Sequence, residues 1–296
     1  MLIGGGSGLV GKRLTELLLK KGYKVTHLSR KKGGNAVNTI PWDIEEMELK
    51  PALIEPFDYI INLAGTGIAD ESWTKKRKQL IINSRVKTTE LLVNAISKNE
   101  KKPISFICAS AVGYYGLSTS EHIFIEEDKA GGDFLADTCI KWENSANKAN
   151  SMGVSTSTIR IGLVLSENGG ALKELVKPIK YGLGAALGSG KQYMPWIHID
   201  DLCSLFIHVM ENKLIGAYNA TAPNHVNNKT FISVLSSVLK KPYWAPNIPG
   251  FVISIILGSR KLLVLEGSKV SSEKVQNTGF QFQFESLKSA LKDIFS

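Results

Sequence analysis

The sequence predicts an α/β fold in which helices cover both faces of a doubly wound parallel sheet. The first half of the chain alternates short apolar segments with segments of helical periodicity, which is typical of parallel strands joined by crossover helices. A glycine cluster directly follows the first apolar segment. With 296 residues, 43% of them hydrophobic, the chain is long enough for one large α/β unit or for a fold with two lobes.

The first half supplies the candidate strands and helices of the sheet. Apolar segments predict strands over residues 1–3, 24–29, 38–40, 59–64, 104–109 and 154–160. Apolar residues at helical spacing predict helices over residues 11–21, 75–98 and 134–151.

The second half is more mixed and predicts a smaller lobe. A helix over residues 171–181 precedes a glycine-rich segment, 182–190, which forms either a mobile wall over a substrate cleft or simple turns. Further elements are an apolar helix ending at Met210, a strand over 216–220 and a closing helix near 284–295. We predict a cofactor domain over residues 1–166 and a smaller α/β lobe on the substrate side over 167–296. Their border is interleaved if the strand over 216–220 returns to the sheet.

The glycine cluster predicts a dinucleotide-binding loop. Gly5, Gly8 and Gly11 follow the first strand, and Gly6 completes a G-x-G-x-x-G spacing before an amphipathic helix. Glycines allow a diphosphate to approach the backbone, and the helix N-terminus offers free N–H groups. The alternative is a plain structural turn. The residues expected to contact the diphosphate are Gly5, Ser7, Gly8, Leu9, Val10 and Gly11.

The end of the second strand favours NADP(H) over NAD(H). This strand ends at Ser29 and is followed by Arg30, Lys31 and Lys32, with no carboxylate before Asp43. In this fold an acidic residue here binds the ribose 2′-hydroxyl, whereas an arginine accommodates a 2′-phosphate. We therefore predict that Ser29 and Arg30 contact the cofactor. A solvated basic turn is the alternative.

Composition excludes several classes of protein. The net charge is +9, but aromatic residues are not interleaved with the densest basic group, residues 75–78, so we expect no nucleic-acid partner. The three cysteines form no C-x-x-C pair and the histidines show no metal-ligand spacing, so no metal site is expected.

Location and assembly are predicted only coarsely. The longest apolar run, near residues 251–257, is too short to span a membrane, so no membrane partner is expected. The sequence enters the first strand with no leader before it, which predicts a cytoplasmic protein. If the N-terminus is clipped, an organelle is the alternative location. We expect a monomer or homodimer with a small-molecule substrate.

Several segments together resemble the extended short-chain dehydrogenase/reductase superfamily. Within it, the chain is similar to the atypical epimerase family, described as sugar-nucleotide epimerase-like or as NADP-dependent oxidoreductases. The glycine spacing is that superfamily's version of the dinucleotide fingerprint. The other matching segments are residues 61–65 (INLAG), 84–92 (SRVKTTELL), 109–116 (ASAVGYYG), 182–190, 194–201 (MPWIHIDD) and 278–282 (TGFQF).

This resemblance implies further contacts with the cofactor. It places Leu63 and Ala64 beside the adenine and ribose, and Leu163 near the nicotinamide. It also places Arg85 where many relatives carry an Asn facing the cofactor, so Arg85 binds a phosphate, braces the loop or is simply a surface arginine. The segment with His198 and the two aspartates after it is expected to anchor the following helix, with an aspartate as its N-cap and His198 bonded to the backbone.

The same resemblance implies a reaction site that this chain only partly matches. Reactive members carry a Tyr and, four residues later, a Lys on one helix, where the pair transfers a proton during hydride transfer. Set in register by Glu143, this chain has Leu135 and Cys139 at those positions. Ser110 matches the substrate-binding Ser within one residue, and Tyr114 or the tyrosine after it is an available acid.

Two functions follow from this pattern. The first is an NADP(H)-dependent oxidoreductase or epimerase-like enzyme for a small polar substrate, with sugar nucleotides among the candidates and Ser110 and Tyr114 as candidate catalytic residues. The alternative is a catalytically silent NADP(H)-binding sensor or scaffold. The missing Tyr–Lys pair favours the second, and Ser110 with the glycines over the cleft favours the first.

Overall fold

A computed structural model describes residues 1–30 and 37–296 and contains a seven-stranded parallel sheet. The strands are β1 (Leu2–Gly4), β2 (Thr26–Ser29), β3 (Asn38–Pro41), β4 (Tyr59–Asn62), β5 (Ser105–Ala111), β6 (Ile123–Phe124), β7 (Ser155–Ile161), β8 (Leu163–Leu165), β9 (Trp196–His198), β10 (Gly216–Ala220) and β11 (Lys269–Val270). The sheet order is β10-β7-β5-β4-β1-β2-β3, and β6 pairs with β11 and β8 with β9. The predicted fold class is confirmed.

Helices cover both faces of this sheet. They are α1 (Leu9–Lys20), α2 (Lys75–Lys98), α3 (Phe134–Asn147), α4 (Gly170–Lys180), α5 (Ile199–Glu211), α6 (Asn228–Val238), α7 (Gly250–Leu257), α8 (Leu262–Leu265), α9 (Glu273–Gln276) and α10 (Leu287–Phe295). From β1 the chain moves outward to β3 and then returns to β4, and right-handed crossovers therefore place α1 and α2 on opposite faces. Accordingly, α1 packs against α5 and α2 against α3.

Two buried apolar clusters stabilise the fold. The larger one fills both sides of the sheet, and the smaller one joins α4, α6 and α10 around Trp196. β10 pairs in register with β7, so the chain does return to the sheet after residue 167. The division into residues 1–166 and 167–296 remains a prediction.

Most element boundaries agree with the sequence within a few residues. α2 has the predicted ends, because the Thr74 side chain caps its N-terminus by accepting a hydrogen bond from the backbone of Arg77. α3 is shorter than predicted: it ends at Asn147 and continues as a 3-10 turn until Gly153, whose φ of 76° stops it. Within the described residues, no helix has the length and apolar character needed to cross a bilayer.

Candidate functional site

The glycine loop, residues 5–8 between β1 and α1, and the first turn of α1 are so tightly packed that backbone atoms exclude a side chain at Gly5 and at Gly11. Gly5 has φ +77°, and a Cβ there would lie 2.7 Å from the backbone carbon of Leu63. A Cβ at Gly11, in the first turn of α1, would collide with the carbonyl oxygen of Gly5. Glycine is therefore required for the loop to approach β4 and the helix to approach the loop.

The N-terminus of α1 leaves its first-turn donors open. Its N-cap, Gly8, makes no side-chain bond and its first turn carries no acid, whereas side chains cap α2, α3, α5, α6 and α10. The N–H groups of Leu9, Val10 and Gly11 have no acceptor within the helix, and Ser7 and Gly8 are exposed. This cradle has the space, donors and dipole that a diphosphate needs.

His27 lies directly beneath the loop, and nothing in the sequence pattern indicated it. A Cβ at Gly6 would lie 2.5 Å from the His27 ring. The Thr15 hydroxyl donates to the carbonyl of Gly11 (2.7 Å), so His27 Nε2, 2.8 Å from Thr15 Oγ1, must be the protonated nitrogen. Nδ1 has no hydrogen-bond partner, and burial lowers the pKa of His27. A neutral ring thus supports the loop.

A cleft lies between the ends of β2 and β3 and the N-terminal half of α2. The cleft has a volume of about 830 Å³, and Arg30 lines it together with Trp42 and Asp43. Ser29 closes the strand by accepting a hydrogen bond from the backbone of Trp42 (3.2 Å). Lys31 and Lys32, the rest of the predicted basic turn, lie outside the described residues. The exposed Arg30 is thus placed where the sequence expected it.

Leu63, Ala64 and Arg85 lie on the other side of the glycine loop. The Leu63 N–H donates to the carbonyl of Gly4 (2.8 Å), so β4 continues beside the loop. A Cβ at Gly65 would lie 3.1 Å from the Arg85 guanidinium, which donates to the backbone of Ile81 (3.1 Å).

The Arg85 guanidinium makes no ion pair with any described carboxylate. Its carbon lies 5.1 Å from the centre of the Trp142 ring, and burial lowers the pKa of Arg85. A desolvated cation without a carboxylate favours an oxygen-rich ligand beside it. Arg30 follows β2, and Arg85 packs against Gly65 just after β4, so the two arginines belong to strand ends on either side of β1.

A buried polar network, the Arg160 cluster, occupies the carboxyl ends of β5, β7 and β10. Arg160 binds both carboxylate oxygens of Glu143 at 2.9 Å, and both side chains are more than 90% buried. Arg160 also donates to the Tyr115 hydroxyl (3.0 Å), which donates to Asn219 (2.7 Å). Hydrogen bonds to Glu143 raise the pKa of Arg160 against the effect of burial. The remaining members are Ser110 and Glu126, which accepts from the Asn219 N–H (2.7 Å).

The two candidate catalytic residues have different surroundings. Ser110 is 2% exposed, and its hydroxyl donates to Glu143 (2.6 Å). This placement argues against a direct contact between Ser110 and a substrate, because the side chain is buried and its hydroxyl proton is already donated to Glu143. Tyr114 is only half-buried, and the Arg160 guanidinium lies 3.4 Å from its ring centre. The cation beside this phenol is thus an arginine on a strand distant in the sequence, whereas the sequence pattern indicated no nearby lysine.

The expected Tyr–Lys positions are occupied by buried apolar groups. Leu135 is 7% exposed and packs against Gly113, next to Tyr114: a Cβ built on Gly113 would lie 3.3 Å from the Cβ of Leu135. Cys139 is buried, and burial raises the pKa of its thiol to about 12, so it is no nucleophile. Leu163 begins β8, partly buried beside Trp196.

The segment after β9 anchors α5. His198 is the N-cap, accepting a hydrogen bond from the backbone of Asp200 (3.2 Å). The expectation that an aspartate caps this helix is wrong, because the helix begins at Ile199 and both aspartates lie in its first turn. Asp200 binds Arg13 of α1 (2.6 Å), and Asp201 accepts from the backbone of residues 283 and 284.

A parallel sheet whose first strand enters a glycine cradle and an uncapped helix defines a dinucleotide-binding protein of the short-chain dehydrogenase/reductase type. The profile of the NAD dependent epimerase/dehydratase family matches residues 1–221, and that of a domain of unknown function, DUF1731, matches residues 248–294. The chain belongs to the NAD dependent epimerase/dehydratase family. The resemblance predicted from the sequence is confirmed.

Relatives span nearly the whole chain. It is 36% identical to the human epimerase family protein SDR39U1 over 99% of each protein. It is 34% identical to epimerase family protein YfhF of Bacillus subtilis over 99% of this chain and 96% of that protein. The crystal structure of human SDR39U1 (isoform2) with NADPH has a TM-score of 0.86 at 32% identity and covers 99% of this chain and 98% of that one.

A more distant solved structure shares the fold alone. UDP-glucuronic acid 4-epimerase from Bacillus cereus, crystallised with UDP-glucuronic acid and NAD, has a TM-score of 0.80 at 19% identity. The match covers 99% of this chain and 98% of that one.

Proposed function

We propose that this chain binds NADP(H) in the glycine loop and acts as an NADP(H)-dependent oxidoreductase or epimerase-like enzyme on a small polar substrate. The observation that carries the binding is the uncapped N-terminus of α1 beside a cleft lined by Arg30. Arg30 binds the 2′-phosphate, and the first-turn N–H groups bind the diphosphate. The NADPH bound to human SDR39U1 supports this choice of cofactor.

Tyr114 is the residue we assign to proton transfer. When bound, the cofactor supplies or accepts a hydride. The loop carrying Tyr114 packs against Leu135, where reactive relatives place their phenol, and Tyr114 is the less buried of its two adjacent tyrosines. The stacked Arg160 guanidinium fixes the ring from one face, which leaves the hydroxyl to exchange a proton with a substrate oxygen.

Titration of the cofactors tests the binding. We expect NADPH to bind more tightly than NADH, and Arg30→Met to weaken NADPH by about 10–100-fold while leaving NADH unchanged, because a charge-assisted bond contributes about 1.5–3 kcal/mol. Lys288→Met, an exposed change on α10, is the matched control. Tighter binding of NADH, or equal loss for both cofactors, would contradict the assignment.

Hydride exchange tests the reaction. The protein is incubated with 4-deuterated NADPH and a panel of carbonyl compounds and sugar nucleotides, and loss of label is followed. Tyr114→Phe should reduce exchange by about 10²–10⁴-fold without changing NADPH affinity, because a general acid contributes that much. Tyr181→Phe, which removes an exposed hydroxyl, is the control. Full exchange in Tyr114→Phe would exclude this role.

The second candidate is a catalytically silent NADP(H) sensor or scaffold. It is favoured by Leu135 and Cys139, neither of which transfers protons, and by the burial of Ser110. Tight NADPH binding with no exchange on any substrate of the panel would support it over the enzyme.

A further inference from the structure

Large exposed apolar side chains concentrate on one part of the C-terminal lobe. Six such residues are 58–84% exposed, and elsewhere in the described chain only Ile215 is more than half exposed. We call these six the apolar face: Tyr181, Leu183, Trp244, Phe251, Ile255 and Ile256. A concentration of this kind on a protein surface normally marks an interaction site.

The apolar face is formed by two segments that run side by side. Parallel bridges join Gly184 to Tyr243 and Leu187 to Ile248, so the segment after α4 lies along the one that leads to α7. α7 begins two residues after the second bridge and turns Ile253 (4% exposed) inward. Its opposite side carries the exposed Phe251 and Ile255, which lie one helical turn apart on one surface, and the exposed Ile256 follows directly after Ile255.

The two segments that carry the apolar face are rich in positive charge. Residues 171–191 and 228–266 contain nine Lys and Arg residues and only two carboxylates, Glu174 and Glu266. Two of the lysines directly adjoin the face: Lys180 precedes Tyr181, and Lys241 lies three residues before Trp244; both are exposed. The basic residues are Lys173, Lys177, Lys180, Lys191, Lys229, Lys240, Lys241, Arg260 and Lys261.

We propose that the apolar face docks on a membrane surface rich in anionic phospholipid. Trp and Tyr favour the level of the headgroups, and Phe and Ile side chains enter the acyl boundary while lysines contact anionic headgroups. From the sequence we expected no membrane partner, because no segment is long enough to span a bilayer. A protein that lies on the surface needs no such segment, so this proposal departs from that expectation. A second copy of the chain is disfavoured, because a symmetric contact would bring the two basic rims together.

Vesicle co-sedimentation tests this proposal. We expect binding to vesicles with about a third phosphatidylserine, weak binding to pure phosphatidylcholine, and loss of binding at high salt. Phe251→Ser/Ile255→Ser should reduce binding at least about tenfold, because it removes two inserted side chains. Lys180→Glu/Lys241→Glu should do the same on anionic vesicles only. Ile215→Ser changes an apolar side chain elsewhere on the surface that is 59% exposed, and it should have no effect.

Fluorescence locates the contact. Of the five tryptophans, Trp244 is 71% exposed, Trp73 is half-buried, and Trp42, Trp142 and Trp196 are at most 7% exposed. Anionic vesicles should shift the emission to the blue in the wild type and not in Trp244→Phe. The substituted side chains are exposed, so these variants should fold as the wild type does. Unaltered NADPH affinity and an unaltered thermal unfolding temperature would verify this. Absence of vesicle binding, or a dimer dissociated by Phe251→Ser/Ile255→Ser, would overturn the proposal.

Discussion

After the carboxyl end of β1, the backbone N–H groups at the N-terminus of α1 have no side-chain cap. At the carboxyl ends of β5 and β7, by contrast, the polar side chains bind one another. The glycine loop leads into an uncapped helix, and its neighbour Arg85 makes no ion pair with a described carboxylate. In the Arg160 cluster, the guanidinium is bound by Glu143 and by the Tyr115 hydroxyl. Open groups are available to a ligand and paired groups provide rigidity, which supports the glycine loop as the proposed cofactor site. Of the described residues in and around the Arg160 cluster, Tyr114 is the one we propose to reach a substrate.

The Arg160 cluster should show the largest effect, and on stability. Arg160→Met leaves Glu143 buried without its cation, which should lower the free energy of unfolding by about 3–5 kcal/mol. Urea unfolding measures this loss, and the double variant Arg160→Met/Glu143→Met should recover part of it. Lys101→Met, which breaks an exposed pair with Asp58, should have an effect of at most about 1 kcal/mol. Similar losses of unfolding free energy in Arg160→Met and Lys101→Met would contradict the expectation that the buried pair contributes more than the exposed one.

The glycine loop should show the next largest effect, and on binding. Gly5→Ala forces a side chain against the backbone of Leu63 at positive φ, which should lower NADPH affinity by about 30-fold through roughly 2 kcal/mol of strain. Gly22→Ala is a matched control, because Gly22 has φ +86° and no atom within 4 Å of its Cβ position. It should destabilise the fold by about 1 kcal/mol and leave binding unchanged. Equal loss of NADPH affinity in Gly5→Ala and Gly22→Ala would exclude the glycine loop as the binding site.

These two regions also differ in how far the sequence predicted them. The glycine loop is local: strand, glycines and helix lie within residues 1–21, and their spacing alone indicated the cradle. The Arg160 cluster assembles residues from 110 to 219 through the pairing of β5, β7 and β10. No spacing in the chain encodes that contact. Glu143 served only to set the register of α3, and Ser110 was assigned to a substrate rather than to Glu143.

His27 shows the same limit at shorter range. It lies on β2 in a pattern that predicts an ordinary strand residue. Its role beneath Gly6 depends on how α1 and β2 pack, which the sequence does not specify residue by residue.

Substitution of Arg85 should have an intermediate effect, and on cofactor binding. It compares a partly buried arginine, which pairs with no described carboxylate, with Arg160, which is paired with Glu143. Because Arg85 makes no ion pair with a described carboxylate and burial lowers its pKa, Arg85→Met should leave stability unchanged or raise it, unlike Arg160→Met. It should weaken NADPH about tenfold through loss of one charge-assisted contact. Adenosine 2′,5′-bisphosphate, which lacks the nicotinamide half, should bind as before, since Arg30 and Arg85 belong to strand ends on either side of β1. Equal weakening of both ligands would place Arg85 on the adenosine side.

The smallest expected effect concerns the ion pair that joins α1 to α5 behind the glycine loop. The Arg13 hydrogen bond holds the pKa of Asp200 below its ordinary value of 3.8. A lowered native pKa stabilises the fold above the unfolded pKa, and this contribution is lost as the pH falls through the native one. Asp200→Asn should therefore flatten the dependence of unfolding free energy on pH below about 4.

Arg13→Met removes the cause of that shift, so Asp200→Asn should have little further effect on the slope in the Arg13→Met background. The measurement is urea unfolding at a series of pH values for both single variants and the double variant. Because this pair is partly exposed, its contribution is screened and should remain well below that of the buried pair of Arg160 and Glu143. If the pH dependence of the unfolding free energy is unchanged in Asp200→Asn, apolar contacts with α5 hold α1 in place. The uncapped N-terminus of α1 then does not depend on the ion pair between Arg13 and Asp200.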